Sequence, residues 1–250
     1  MKVSIITICF NAEAHIDETL RSVVMQDHRD IEHIVVDGGS SDGTMAKVER
    51  YREVLAHVVS ERDNGVYDAM NKGLHLATGE VVAFVNAGDM IARRDVLTAM
   101  VKEFDRNDAD VIYGDALMVD PEDITNVRRY WRGGDYDREN FRKGWMPPHL
   151  GTYIRRTAYQ RFGHFREDLK VSADYELMFR FLYKHRLRAR YVPKVLVRFR
   201  LGGVSNRSLA HVWRANLEVF KAWKLNGEQV SPLIVVRKPI SKLWQYFKRS

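Results

Sequence analysis

The chain has 250 residues, 45% hydrophobic and 29% charged, which suits one large domain with a full core and indicates neither disorder nor a bundle of membrane helices. Its net charge of +7 is unevenly held: residues 1–150 carry 18 Lys+Arg against 27 Asp+Glu, and residues 151–250 carry 22 against 6, so the two parts face different partners. The single cysteine, Cys9, excludes an internal disulfide. The opening run MKVSIITICFN is too short for a signal peptide, and no run reaches roughly 18 apolar residues, so a cytosolic protein or one peripheral on a membrane is expected.

In chain order, VSIITI reads as a buried strand ending at CFNAEA, with Cys9 a small buried hydrophobe on it. Ile16, Leu20, Val23 and Val24 then fall on one face of a helix. IEHIVVD is a second strand, and GGSSDGT after it supplies a turn and a helix cap, with a helix from Thr44 to about Val54. AHVVSE is a third strand. GVYDAMNKGLHLA is helical, with Val66, Met70, Leu74 and Ala77 spaced for one buried face. EVVAFVN is the fourth strand, Asp95 to Phe104 another helix, and DVIYGD closes the series. The alternation predicts an α/β fold: an open, mostly parallel, Rossmann-like sheet flanked by helices.

After Asp120 the pattern loses its period. PEDITNVRRYWRGGDYDRENFRKGWMPPHLG is polar, aromatic and punctuated by Gly and Pro, a long segment of the kind that forms lids or binding loops. A helix follows around SADYELMFRFLYKH, then a strand in ARYVPKVLVRFR and a helix from Ser208 to Trp223.

Three acidic groups follow predicted strands: Asp37, then Glu61 and Asp63, then Asp89. Ligands of open α/β sheets bind beyond the carboxyl ends of the strands, so these groups converge on one crevice, although any one alone also makes an ordinary turn. The first strand is not followed by G-x-G-x-x-G, and no G-x-x-x-x-G-K-[ST] occurs. GGSSD has Asp42 where a G-x-S-x-G elbow needs glycine, and the nine His have no zinc spacing. A dehydrogenase, an NTPase, a serine hydrolase and a zinc enzyme are disfavoured.

VSIITICFNAEAHIDETLRSVVMQ, IEHIVVDGGSSDGT, SERDNGVYDAMNKGLHLATGEVVAFVNAGD and SADYEL, in this order over roughly residues 1–205, resemble inverting family-2 glycosyltransferases of the GT-A fold. Within the family the chain is most similar to bacterial enzymes of exopolysaccharide and O-antigen repeat units. FRLGGVSN (Phe199–Asn206) resembles the segment that closes the catalytic domain. The resemblance implies a nucleotide-sugar-binding half over 1–120, an acceptor-binding and catalytic half over 121–205, and a helical basic tail over 206–250. It implies that Asp37 bonds the base of the donor and that the loop Thr7 to Asn11, with Asp63, lines the nucleotide pocket. A carboxylate meeting a base N–H in a dry cleft is a strong acceptor, though Asp37 suits UDP, GDP or dTDP. Lys72 reaches a phosphate or stands solvated on its helix.

NAGD, residues 86–89, falls where the family carries D-x-D, whose oxygens hold an Mg²⁺ or Mn²⁺ against the diphosphate. Asn86 stands for the first Asp and Gly88 for the second, leaving Asp89 as the metal carboxylate and Asn86 a donor contact. Asp174 matches the family's catalytic base, positioned to deprotonate an acceptor hydroxyl, and is equally a good first-turn helix residue. Glu176, on another face, is the weaker candidate. His149 and Arg155 resemble acceptor-side positions, and Trp131 and Trp145 offer faces to a sugar ring.

In KPISKLWQYFKRS, Ile240, Leu243, Trp244 and Phe247 form a stripe beside Lys242, Lys248 and Arg249. Residues 237–250 therefore suit an anionic membrane surface, where a polyprenyl-diphosphate-linked sugar acceptor resides, and the protein belongs on the inner face of the cell membrane; the same stripe suits packing on the domain or a second copy. Against a sugar transferase stand a non-catalytic basic nucleic-acid-binding protein, which the acidic strand ends oppose, and a nucleotidyltransferase, which lacks its basic glycine-rich loop.

Overall fold

The structure, a computed structural model, describes residues 1–202 and 209–231. The amphipathic stripe of 237–250 lies outside them, as do Gly203 to Asn206 of the predicted closing segment. The first part is the expected alternation: β1 (Val3–Cys9), α1 (Ile16–Val24), β2 (Ile31–Asp37), α2 (Thr44–Glu49), β3 (His57–Ser60), α3 (Val66–Leu76) and β4 (Val81–Phe84). The helix expected to reach Val54 stops at Glu49 and resumes as a 3-10 turn over Arg52–Val54. Next come β5 (Met90–Ile91), α4 (Val96–Arg106), β6 (Val111–Val119), β7 (Val127–Trp131), β8 (Thr152–Arg155), α5 (Arg156–Phe162), α6 (Ala173–Met178), β9 (Ala189–Arg200) and α7 (Leu209–Leu225). Past Met178, α6 runs on as a π-helical segment, Phe179–Lys184.

The strands form one mixed sheet in the order β3-β2-β1-β4-β8-β6-β9-β5, with β7 against β6. β1 to β4 are parallel, as the alternation predicts. β6 runs the same way but is separated from β4 by the antiparallel β8, whose Ile154 pairs both Val82 and Val111. That strand is four residues long inside a segment without period, which hides it from pattern reading.

Side-chain alternation gives the sheet two apolar faces. Ile6, Ile8, Val82 and Phe84 meet α3, α5, α6 and α7 on one side; Val3, Ile5, Val81, Ala83 and Val85 meet α4 on the other. The inward face of α3 is Tyr67, Met70, Asn71 and Leu74, with Val66 left exposed at its start. Polar Asn71 takes an inward place because it bonds both backbone groups of Phe165, at 3.0 Å each. Val24 is likewise exposed where Thr19 is buried. α7 seals the far side with Trp223, fully buried between Phe179 and Tyr183 and donating to Tyr175 Oη at 3.1 Å.

Candidate active site

The carboxyl ends of β1 to β4 open on one shelf. Asp37 closes β2 fully buried. Its Oδ2 accepts from the backbone N–H of Gly39 (3.2 Å) and Ser40 (3.0 Å) and from Ser60 Oγ (2.7 Å), while Oδ1 accepts from Ser40 Oγ at 2.5 Å. The sequence places this carboxylate on the donor's base. The structure engages both of its oxygens in shaping the β2 loop. Cys9 lies beside it, and burial together with the Asp37 charge pushes its thiol far up, leaving it inert.

The carboxylate that does face the shelf is Asp63. A Cβ on Gly38 would stand 2.3 Å from Asp63 Oδ2 and 3.4 Å from Phe10, so the glycine leaves room for an acidic and an aromatic group side by side. Phe10 is 63% exposed, far more than an aromatic ring keeps without a partner to cover. Asn11, at φ +46°, folds the β1 loop against the β2 loop through its backbone N–H to Ser40 Oγ (2.7 Å) and its Oδ1 from Ser41 N–H (2.9 Å). Two residues named from the sequence leave this group. Thr7 is buried within β1, all of whose residues are covered, and bonded to His33 at 3.0 Å. Lys72 is held by Glu61 (2.8 Å) and the Arg62 carbonyl (3.1 Å), so it pins the β3–α3 loop and does not reach outward.

At the end of β4 the NAGD segment fails as a cation site. Asp89 is 5% exposed, its Oδ1 accepting the Arg200 backbone N–H at 3.0 Å. Burial pushes its carboxyl up to about 8, with Arg200 pulling partly back, so the group is neutral at pH 7. Gly88 sits at φ +99°, a backbone state that disfavours the aspartate the family pattern would put there. Among the described residues no three His, Cys, Asp or Glu gather to hold a metal ion. The expected Asp89 ligand is thus a buried partner of β9, and these residues do not fit a resident Mg²⁺ or Mn²⁺. Asn86 differs: its Oδ1 is buried without any hydrogen-bond partner.

Asp174 opens α6 and is half-buried. Its Oδ1 accepts Tyr175 N–H (2.8 Å) and lies 3.4 Å from Tyr67 Oη, whereas Oδ2 accepts nothing among the described residues. Tyr67, at the start of α3, went unnoticed in the sequence; its place two residues past Gly65 on the inward face was the available signal. Glu176 is excluded as a base because it is buried and paired with Arg180 at 3.0 Å.

Beneath Asp174, His149 packs between Phe84 (5.6 Å) and Phe165 (5.6 Å), and Phe165 in turn stacks on Tyr67 (5.7 Å). Both His149 ring nitrogens are buried and unpartnered. Burial lowers its pKa against the opposing pull of the Asp174 charge, so the ring is neutral. Asn86 Oδ1, two residues past Phe84, and the His149 ring against Phe84 thus lack partners among the described residues, a placement that costs stability unless something else bonds them. Arg155 is not with them. It pairs Val81 at the opposite end of β4, and its guanidinium donates to the Ala109 carbonyl at 2.8 Å. Trp145, partly buried, turns its Nε1–H inward to the Gly133 carbonyl (3.1 Å) and packs edge-on with Tyr113 and Phe141. A cavity of about 390 Å³ between α4 and β9 lies away from all of these groups.

The profile of "Glycosyl transferase family 2" matches residues 4–168. A "PGL/p-HBAD biosynthesis glycosyltransferase" of Mycobacterium tuberculosis is 33% identical over 210 residues, 81% of this chain and 78% of the relative. Among solved structures, S. aureus TarS 1-349 in complex with UDP-GlcNAc superposes with TM-score 0.66 at 21% identity, over 99% of this chain and 73% of that one. The mannosyltransferase PcManGT of Pyrobaculum calidifontis, in complex with GDP-Man and Mn²⁺, gives TM-score 0.66 at 24% identity, over 98% and 69%.

Proposed function

The chain belongs to glycosyl transferase family 2, and on that premise we propose that it moves a sugar from a nucleotide-diphosphate sugar, a UDP-sugar first, to a lipid-linked or glycan acceptor with inversion. The observation that carries this reading is Oδ2 of Asp174, which accepts no hydrogen bond among the described residues. A single carboxylate with one oxygen fixed and one open takes the proton of an attacking hydroxyl, and one displacement inverts the anomeric carbon. Phe10 covers the nucleotide base and Asp63 accepts from it. Asn86 bonds the donor and His149 the incoming sugar, each completing a hydrogen-bonding group that the free protein leaves unmatched. Residues 1–120 serve the nucleotide sugar and 121–205 the acceptor.

The acceptor of this reading is a polyprenyl-diphosphate-linked sugar of bacterial surface polysaccharide, and the M. tuberculosis relative is likewise named for a biosynthetic role, in PGL/p-HBAD biosynthesis. None of the described helices is long and apolar enough to cross a membrane. A basic tail over 237–250 lying on the anionic cytoplasmic surface would bring the enzyme to such a substrate.

Calorimetry with UDP, GDP and dTDP, each with and without Mn²⁺, tests the donor. Binding of one nucleotide is the expected result, and failure of all three would sink the reading. The UDP-GlcNAc and GDP-Man complexes of the two structural relatives make both bases worth the comparison.

A further inference from the structure

Three successive backbone amides just ahead of α6 point at a single side chain far along the sequence. Glu218 of α7 accepts Lys170 N–H on Oε1 (3.1 Å) and the N–H groups of Val171 (2.8 Å) and Ser172 (2.9 Å) on Oε2. It is 8% exposed, with Arg214 one helical turn away at 3.3 Å. Ser172 occupies the cap position of α6 but makes no side-chain cap bond; its hydroxyl instead donates to the Ala215 carbonyl of α7 at 3.0 Å. The capping function has therefore moved from the local residue to another helix.

The same turn is gripped from its other side. The Val171 carbonyl accepts Tyr67 Oη at 2.9 Å, the hydroxyl that also lies 3.4 Å from Asp174 Oδ1. Glu218 and Tyr67 thus hold the 170–172 turn leading into Asp174 from both sides. α7 lies beyond residues 4–168, the part matched by the family profile.

We propose that Glu218 is a positioning residue for the transfer reaction, fixing the 170–172 turn so that Oδ2 of Asp174 faces the acceptor hydroxyl. The inference rests on Asp174 being the base. A carboxylate collecting backbone N–H groups makes charge-assisted hydrogen bonds, stronger than neutral ones. Displacing a catalytic group by about 1 Å costs on the order of 10²-fold in rate. In Glu218→Gln the amide nitrogen would face one side of the three donors, so part of the grip is lost while size and packing stay.

The test compares wild type, Glu218→Gln, Glu218→Asp and Asp174→Asn for nucleotide affinity, donor KM and kcat. Glu218→Gln is expected to lower kcat about 10- to 100-fold with donor KM and nucleotide affinity within about twofold of wild type. Glu218→Asp, charged but one methylene short, should fall between the two. Wild-type kcat in Glu218→Gln, with Asp174→Asn inactive, overturns the positioning role and leaves the base in place. Full turnover in Asp174→Asn overturns both. If neither Glu218 variant binds nucleotide, Glu218 holds the fold and not the base, and the proposal fails.

Discussion

The two ends of the same parallel strands finish their hydrogen bonding to different degrees. At the amino end, Glu32 of β2 is 4% exposed and wholly occupied: Ser4 Oγ (2.5 Å), Lys2 Nζ (2.9 Å), Thr78 N–H (2.7 Å) and Thr78 Oγ1 (2.6 Å) all donate to it. Burial alone would push its carboxyl up, but the bonds from Ser4, Thr78 and Lys2 outweigh it and hold it at about 2. At the carboxyl end, Asn86 and His149 keep buried polar atoms without partners, and Asp174 keeps one oxygen open. The first end is closed around Glu32, although His33 Nδ1 on the same strand is also without a partner among the described residues; the second leaves more of its polar atoms unmatched. Asp37 shows that the difference is not one of residue type, because a carboxylate at the open end is engaged as fully as Glu32.

Substitutions at the open end should lower turnover, and those at the closed end stability. The largest effect is expected from Asp174→Asn: kcat down about 10²–10⁴-fold in a steady-state assay, with nucleotide binding by calorimetry unchanged. A pH titration of stability isolates Glu32. Its folded pKa lies below its unfolded one, so its stabilisation is present above about 4.5 and is lost as pH falls toward 2. Glu32→Gln should remove about 3 kcal/mol at pH 7 and flatten that acid limb, while the folded fraction keeps wild-type kcat. At His149 the two properties should move in opposite directions. His149→Leu removes two unmatched nitrogens, so urea denaturation should show it about 1–2 kcal/mol more stable, with kcat/KM about tenfold lower. Asp89→Asn should change least: since the carboxyl is protonated below about 8, nucleotide affinity and its response to Mn²⁺ should match wild type at pH 7. A loss of metal response there would restore Asp89 as a ligand.

The fold was legible wherever local pattern and burial agree. The first four strands and their helices follow period, cap and turn signals, and β9 lies where a β-rich run is printed in the sequence. β8 was not legible, because its four residues carry no period of their own and are placed by two partners distant in the chain. Around the site, the sequence located the loops better than the side chains. It named His149 and Asp174, which lie close enough for the Asp174 charge to act on the imidazole, and it also named Thr7, Lys72, Asp89 and Arg155. Each of these takes a neighbour within the protein: His33, Glu61, Arg200 or a backbone carbonyl. Family pattern says which position a residue holds. It does not say which way the residue faces, and Tyr67 and Glu218 emerge only from three-dimensional contact.

The placement of β8 bears on how the chain is made. β4 and β6 are both synthesised before Thr152–Arg155 exist, so on a growing chain each has an apolar edge with no neighbour on that side. Unpaired edges of this kind invite pairing with other chains. Fragments ending anywhere between β6 and Arg155 should therefore collect in the insoluble fraction, however complete their nucleotide-facing loops. The smallest part that can leave the ribosome with its sheet closed must include β8, and β9 with it, since β9 joins β6 to β5.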